Sequence, residues 1–267
     1  MKKTTLIMKK ATLIAATLFS LFASPNIYAQ DKPVVVPQVT NEWHGSISPY
    51  LWGVNVNGSL YYDQSKLGTV SMGTGQLLQD LNVGGMLFAE LHKGSFGVMA
   101  DLFYAKMTVN KSSVVGQVDL GSKTTLETGV YTLAGTYTLH NSSNSYVDAL
   151  AGIRILSLNT TTNISIGDTP YSAVAKMSST IADPIVGVKG RFRIADTDYF
   201  VPFYVDVGGG SSNTEVTSQQ LLGIGKAYGW GEATLAFKNL YYKQKSQSNA
   251  TADLNMYGVI VGATFRF

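Results

Sequence analysis

Three histidines are the side chains of this chain best suited to acid–base or metal chemistry. Enzymes that act on lipid or peptide substrates often place a histidine beside a serine or a carboxylate where the substrate arrives. His92 and Glu90 have the same parity in one alternating segment, and Asp101 lies diagonally across from them in the next. These three residues are candidates for a metal site or an acid–base cluster. His44 and His140 begin or end other alternating segments.

Other motifs for catalysis or cofactor binding are not found in the sequence. It has no zinc-ligand spacing and no G-x-S-x-G motif, and the segment 223–226 (GIGK) lacks the upstream glycine and following hydroxyl of a phosphate-binding loop. The chain has no cysteine, so it forms no disulfide and offers no lipidation site. We therefore expect a protein that is not an enzyme, with no catalytic residue, no cofactor and no metal.

The first 29 residues have the layout of a secretory signal peptide. Four lysines precede an apolar run over 11–23, and small residues follow as far as Ala29. The run is short for a membrane-spanning helix, which needs roughly 20 apolar residues, so we expect cleavage after Ala29. Of the 20 basic residues four lie in this segment and none of the 17 acidic ones does, which leaves 16 against 17. This balance gives no reason to expect nucleic-acid binding.

After an extended lead at 30–41, apolar and polar residues alternate as they do in β-strands. Most of the alternating segments reach the ~9–11 residues that a tilted strand needs to cross a bilayer. We predict an all-β chain in which 42–267 forms a single antiparallel up-and-down transmembrane β-barrel of ten strands, with eight as the alternative. The predicted strands are at about 42–56, 82–93, 96–108, 124–140, 146–158, 181–194, 199–210, 214–227, 232–243 and 254–267.

The connections between these strands alternate in length. Outer-membrane barrels have short periplasmic turns and longer extracellular loops. By this rule all three histidines lie at the periplasmic end, away from an extracellular catalytic rim. The short turns are at 93–95, 140–145, 195–198 and 228–231, and the long polar segments that we expect as loops are at 57–81, 109–123 and 159–180.

One face of each predicted strand is apolar and the other carries charges. A soluble β-sandwich would expose the charged face to solvent, whereas a barrel turns it into the lumen. Both signs occur at each of two heights, and unpaired charges in a narrow interior are costly, so we expect ion pairs across the lumen instead of a single-sign ion filter. The low group is Glu90, Asp148, Arg191, Glu232 and Arg266, and the mid-height group is Asp101, Arg154, Lys189, Asp206 and Lys238.

Aromatic residues near the strand ends are typical of the girdles that barrels place at the membrane interfaces. The candidates are Trp43, Tyr50, Trp52, Tyr104, Tyr131, Tyr137, Tyr199 and Tyr241.

Three stretches carry a family resemblance: EWHGSISPYLWGVNVNG (42–58), YVDALAGIRILSLN (146–159) and MYGVIVGATFRF (256–267). They resemble the landmarks of small proteobacterial outer-membrane barrels, a broad family of OmpW-like and OmpA-like proteins. The resemblance implies an outer-membrane location in contact with lipid and lipopolysaccharide. It also implies insertion by the barrel assembly machinery, which would read Phe265 and Phe267 as a C-terminal signal. It implies no reaction.

Two functions remain open at this stage. The first is a non-enzymatic barrel whose lumen is closed by the charge network and which acts through its extracellular loops, as a surface-interaction or envelope protein. The alternative is a narrow pore for small or hydrophobic solutes, because ten strands lie between the filled eight-stranded barrels and the wide sixteen-stranded channels. The sequence identifies no ligand for the loops.

Overall fold

The computed structural model describes residues 33–63, 65–115, 118–166, 172–211, 213–245 and 250–267. The predicted signal peptide lies outside these residues. One helix, α1 (Thr74–Asp80), accompanies eleven strands. The strands are β1 (His44–Tyr62), β2 (Ser65–Met72), β3 (Leu81–Lys93), β4 (Phe96–Val115), β5 (Val118–Asn141), β6 (Ser145–Ile166), β7 (Ser172–Arg193), β8 (Tyr199–Gly208), β9 (Thr214–Tyr228), β10 (Gly231–Lys245) and β11 (Ala250–Arg266).

Ten of the strands form a closed antiparallel barrel, which confirms the predicted fold and strand number over the alternative of eight. Strands that follow one another along the chain pair with one another, and β1 pairs with both β3 and β11 to close the wall. At the periplasmic end Gly45 and Phe267 exchange two backbone hydrogen bonds of 2.9 and 3.0 Å. β2 pairs with the upper part of β1 and is an addition to the ten-stranded wall.

The side chains alternate between lipid and lumen as the sequence pattern predicts. In β4, Val98 is 51% exposed whereas Met99 is 1% exposed. In β11, Val259 and Val261 are exposed on either side of the buried Ile260. Because strand side chains have a period of two, this alternation fixes which residues face the lumen along each strand.

The long polar segments are mostly strand, where we expected loops. β4 and β5 pair as far as Val115 and Val118, and β6 and β7 pair as far as Ser165 and Ser172. Threonine, valine and isoleucine are frequent in these segments and favour strands, while cross-strand threonine pairs add hydrogen bonds. The segment 57–81 contains the end of β1, all of β2 and α1.

Four neighbouring strands, β4 to β7, extend further from the periplasmic end than the flanking strands β3 and β8. β3 stops pairing with β4 at Met107, and β8 begins to pair with β7 only at Ile185. β5 has 24 residues, more than twice the ~9–11 that cross a bilayer, so much of it lies outside the membrane. We call this extension the surface sheet. It consists of 108–115, 118–125, 161–166 and 172–176.

The wall between β1 and β3 is paired at its periplasmic half only. Backbone pairing ends at Pro49 and Leu87. Above this level the backbone N–H of Trp52 donates to Met86 Sδ at 3.1 Å. The hydroxyl of Thr74, the first residue of α1, donates to the Val54 carbonyl at 2.9 Å. α1 therefore lies against β1 at the level where β1 is no longer paired with β3, while β3 stays paired with β4 as far as Leu81. No helix of the described residues is long and apolar enough to cross a membrane.

Candidate functional site

The candidate site is the lumen, where the charged side chains from seven strands meet. Near the periplasmic end Glu232 of β10 binds two arginines. Arg191 Nη1 of β7 lies 2.5 Å from Glu232 Oε1, and Arg266 Nε of β11 lies 3.1 Å from the same oxygen. Arg191 also donates to the Val35 carbonyl at 3.3 Å, and its guanidinium lies 4.2 Å from the centroid of the Phe200 ring. One carboxylate thus connects three regions of the wall with the N-terminal segment.

Lys189 forms a second cluster at the same end. Its ammonium contacts Glu90 and lies 3.1 Å from Asp148 Oδ2, and the Tyr146 hydroxyl donates to Asp148. We predicted Lys189 at mid-height, but its backbone is level with Asp148 on the adjacent β6, so the lysine belongs to the low group. The low group therefore contains three cations and three carboxylates.

Asp101 is the centre of a cluster at mid-height. Lys238 Nζ lies 2.6 Å from Asp101 Oδ2, and the Tyr50 hydroxyl donates to Oδ1 at 2.7 Å. Gln219 Nε2 is 3.4 Å from Oδ2, and the Lys238 ammonium lies 5.1 Å from the centroid of the Trp52 ring. Tyr50 and Trp52 are therefore buried in the lumen, so our prediction that they belong to an interfacial girdle is wrong. The reason is parity, because both face the same side of β1 as Ser46 and Ser48.

Arg154 and Asp206 form the second mid-height cluster, and both side chains are 0% exposed. The guanidinium is bidentate on the carboxylate, with Nη1 3.0 Å from Oδ1 and Nη2 in contact with Oδ2. Its remaining donors reach the hydroxyls of Thr132 and Thr217, each at 3.3 Å. Asp206 also accepts a hydrogen bond of 2.5 Å from the Tyr204 hydroxyl. Such a bidentate charged pair is among the stronger hydrogen-bonded arrangements in proteins.

Asp183 is a buried lumen carboxylate that our sequence reasoning missed. It lies opposite Arg154 in the β6–β7 pairing and is 0% exposed. The Thr214 hydroxyl donates to its Oδ2 at 2.9 Å, while Oδ1 has no hydrogen-bond partner among the described residues. A signal was present, because Asp183 has the same parity as Lys189 and Arg191 in β7.

The histidines lie at the periplasmic end. His44 and His92 face each other across β1 and β3, and their rings stack with centroids 5.7 Å apart. His140 is exposed near the end of β5. The structure does not bring His92, Glu90 and Asp101 together, because Asp101 binds Lys238 instead. The described residues contain no group of three or more histidine and carboxylate side chains placed to hold a metal ion.

Two cavities occupy the lumen on either side of the mid-height clusters. The lower cavity, about 190 Å³, is lined by charged and polar groups such as Glu90, Lys189 and Glu232. The upper cavity, about 270 Å³, has an almost wholly apolar lining. The two cavities have no lining residue in common. Tyr50, Asp101 and Lys238 line only the lower cavity, and Trp52 lines only the upper one. The mid-height clusters therefore lie between the two cavities.

The N-terminal segment packs into the periplasmic mouth. Val35 and Val36 are buried against Tyr146, Phe200 and Ala227, which face the lumen from three strands. The side-chain amide of Asn141 donates to the Pro37 carbonyl at 2.7 Å and fixes the segment to the turn after β5. The lumen is thus covered at its lower end by the chain itself.

Comparison with solved structures supports the fold assignment. The outer-membrane protease OmpT from Escherichia coli has a TM-score of 0.53 at 9% identity, over 86% of this chain and 99% of that chain. OprG from Pseudomonas aeruginosa has a TM-score of 0.31 at 12% identity, over 85% and 97%. Ail of Yersinia pestis, in complex with the heparin analogue sucrose octasulfate, has 0.34 at 12%, over 85% and 99%. No family profile and no curated protein sequence matches the chain. The chain therefore has the fold of an outer-membrane β-barrel protein.

Proposed function

We propose that this outer-membrane barrel protein is not an enzyme, that its lumen is closed to solutes, and that it acts by holding the surface sheet above the membrane for contacts with other surfaces. The proposal includes export with cleavage near Ala29, insertion by the barrel assembly machinery with Phe265 and Phe267 as its signal, and contact of the wall with lipid and lipopolysaccharide. The observation that carries it is the pairing of buried charges at mid-height, between the two cavities.

The closed lumen is supported by the way in which the mid-height charges are paired. Arg154 and Asp206 come from β6 and β8 and are fully buried, and Lys238 and Asp101 come from β10 and β4. Hydroxyl and amide groups satisfy most of the remaining donors and acceptors of these four residues. Moving any of these charges aside to admit a solute would break a buried pair, which is costly.

The absence of catalysis is supported by the ion pairs that the candidate carboxylates form and by the position of the histidines. The carboxylates Glu90, Asp101 and Asp206 each bind a cation, and the stacked pair His44 and His92 lies at the covered periplasmic end. The similarity to OmpT concerns the fold alone, since one barrel fold serves many functions.

The role of the surface sheet is supported by its size and composition. It is paired strand to strand up to Val115 and Ser172, which gives it a fixed shape. The described side chains include paired polar groups, such as Thr124 with Thr162 at 3.1 Å. A paired sheet loses less conformational entropy on binding than an unpaired loop does, because its backbone is already held by hydrogen bonds.

A trimmed chain tests this role. Replacing 109–124 and 162–175 each by Asn-Gly keeps the ladder positions next to them, Thr108 with Thr125 and Thr161 with Lys176, and gives two short hairpin turns. We expect the full chain to confer autoaggregation and adherence to glass on Gram-negative cells, and the trimmed barrel to confer neither while keeping its heat-modifiable migration in gels. Equal adherence of the two chains, or no adherence above that of cells lacking the protein, would overturn the surface role.

The alternative function, a narrow pore, requires a continuous wet path through the lumen. The apolar lining of the upper cavity would favour hydrophobic solutes, but such a solute would still have to pass the Arg154 and Lys238 clusters. Uptake of small sugars and amino acids by liposomes that contain the protein separates the two functions. The closed barrel predicts swelling no faster than that of empty liposomes, and faster swelling would support the pore.

A further inference from the structure

The upper cavity has the composition of a binding site for a hydrocarbon. Its lining includes Trp52, Leu77, Met86, Phe103, Leu158 and Met256, and no charged side chain contributes to it. Empty space of this kind is costly in a well-packed interior, because the lining atoms lose their dispersion contacts. Apolar cavities also accept apolar ligands. The cavity is therefore suited to an uncharged apolar occupant.

The size of the cavity sets the size of the occupant. An engineered apolar cavity of about 150 Å³ accepts benzene, which corresponds to about 25 Å³ for each carbon atom. The volume of about 270 Å³ therefore accommodates about ten carbon atoms in a chain.

The floor of the cavity is formed by Trp52. One face of its indole is near the Lys238 ammonium, 5.1 Å from the ring centroid, and its edge packs on Phe103 with centroids 5.5 Å apart. The indole Nε1 is buried and has no hydrogen-bond partner among the described residues. A buried N–H without an acceptor is rare, since tryptophan usually finds a partner for it. An occupant with a neutral oxygen could accept this hydrogen bond.

The cavity reaches the outer surface of the barrel beside α1. Here the wall between β1 and β3 has no strand pairing above Pro49 and Leu87. Leu77 and Leu78 of α1 both line the cavity, and Leu78 is also 54% exposed. A helix of seven residues therefore borders the cavity at the place where β1 and β3 are not paired. A helix that is held by few contacts can move more readily than a strand in a ladder.

We propose that the upper cavity binds one uncharged hydrocarbon chain of about ten carbons, which enters sideways from the membrane past α1 and ends at Trp52. The Asp101 and Arg154 clusters close the cavity below, so the chain is held there and is not passed to the periplasm. This site goes beyond the proposed surface role and does not depend on it. Its chemistry suits the acyl chain of a membrane lipid and the alkyl chain of a free amphiphile equally.

The test uses quenching of Trp52 fluorescence by bromine in the full barrel in lipid nanodiscs. Trp43 and Trp230 are replaced by phenylalanine, so that Trp52 is the single tryptophan. One arm uses phosphatidylcholine brominated on its acyl chain, and the other adds 10-bromodecan-1-ol to unbrominated nanodiscs. Quenching by the lipid identifies an acyl chain as the occupant, and quenching by the alcohol alone identifies a free amphiphile. Absence of quenching in both arms would overturn the site.

A matched pair of variants assigns the quenching to the cavity. Gly84 lines the cavity, and a side chain there meets only ordinary contacts of 3.5 Å at its Cβ. Gly85 is the next residue of β3, faces outward and has nothing within 4 Å of a Cβ. We expect Gly84→Leu to reduce quenching at least threefold and Gly85→Leu to leave it unchanged. Ala105→Leu, also in the lining, replaces Gly84→Leu if the latter does not fold. Equal quenching in the filled and control variants would overturn the proposal.

A reversible lock tests the route past α1. Thr74 Cγ2 lies 3.5 Å from the position of a Cβ on residue 53, so Gly53→Cys with Thr74→Cys is placed to form a disulfide. The natural chain has no cysteine, which makes this bond the only one. We expect oxidation to slow the onset of quenching by 10-bromodecan-1-ol at least tenfold and reduction to restore it. Equal rates in both states would overturn access past α1.

Discussion

Arg154 is buried at the centre of the lumen, and its counter-ion is the Asp206 carboxylate. The pair is fully buried and joins β6 to β8 across the lumen. Removing two charges from water costs several kcal/mol for each ion, and a good bidentate geometry repays this cost only when both partners are present. We therefore expect the loss of one partner to destabilise the barrel more than the loss of both.

A double-mutant cycle measures this dependence. We expect Arg154→Met to destabilise the barrel by about 3–5 kcal/mol, because it leaves the Asp206 carboxylate buried without its cation. Arg154→Met with Asp206→Leu should recover a large part of that loss, since no unpaired charge remains. Urea unfolding in lipid vesicles, followed by tryptophan fluorescence, gives the free energies. A double variant no more stable than Arg154→Met would contradict the interpretation of the pair as mutually dependent charges.

At the scale of elements, the close approach of neighbouring strands is set by a few small residues. Gly152 of β6 lies against β5, and a Cβ on it would be 2.1 Å from the Leu133 carbonyl oxygen and 2.5 Å from the Ala134 Cα. These are backbone atoms that cannot rotate away. Gly135 lies in β5, and the nearest atom to a Cβ there is the Ala151 oxygen at 3.9 Å.

These two glycines form a matched comparison. Gly152→Ala should cost about 1–3 kcal/mol, as insertion of a methyl group into a packed region does, because β5 and β6 must separate locally. Gly135→Ala should change the free energy of unfolding by less than about 0.5 kcal/mol, as for a typical surface substitution. The same urea unfolding assay measures both. A similar cost at the two positions would show that the strands do not approach as closely as described.

The N-terminal segment is a second element with a specific role, since Val35 and Val36 cover the periplasmic mouth. We expect Val36→Asp to release the segment, because the carboxylate cannot be buried against Tyr146 and Phe200 without a cation. Ser46, which lines the lower cavity and is 6% exposed, serves as the reporter after substitution by cysteine.

Labelling of Ser46→Cys by a charged thiol reagent should become at least tenfold faster with Val36→Asp. The control is Val39→Asp in the same segment, where the valine is already 38% exposed and the rate should stay the same. If Val36→Asp leaves the labelling rate unchanged, the segment does not cover the mouth.

At the scale of the whole molecule, the sequence alone predicted the barrel and its ten strands. Alternation has a period of two in every strand, so it identified the lumen face and with it the charges that pair there. It could not give the height of Lys189, because height depends on the register between β6 and β7. It also placed Tyr50 and Trp52 at an interface, since an aromatic residue near a strand end has the same appearance on either face.

Other features depend on tertiary closure and have no local signal in the sequence. The segment 57–81 is polar and was expected as a loop, but it contains β2 and α1, whose position is set by the end of pairing between β1 and β3. The upper cavity is a volume left between side chains of seven strands and α1, and no single stretch of sequence encodes it. Asp183 is different, because its parity was visible and was overlooked.

The central claim is that the paired charges close the lumen, and planar-bilayer conductance tests it most directly. A variant in which Asp101, Arg154, Asp206 and Lys238 are all replaced by alanine serves as the positive control, because it removes both mid-height clusters and should conduct if it inserts. For the native chain we predict no reproducible channel steps in 1 M salt. At this salt concentration the Debye length is about 3 Å, so long-range electrostatic repulsion of ions is screened and only the steric barrier remains. Reproducible steps from the native chain, altered by Arg154→Ala or Asp206→Ala, would contradict the closed lumen.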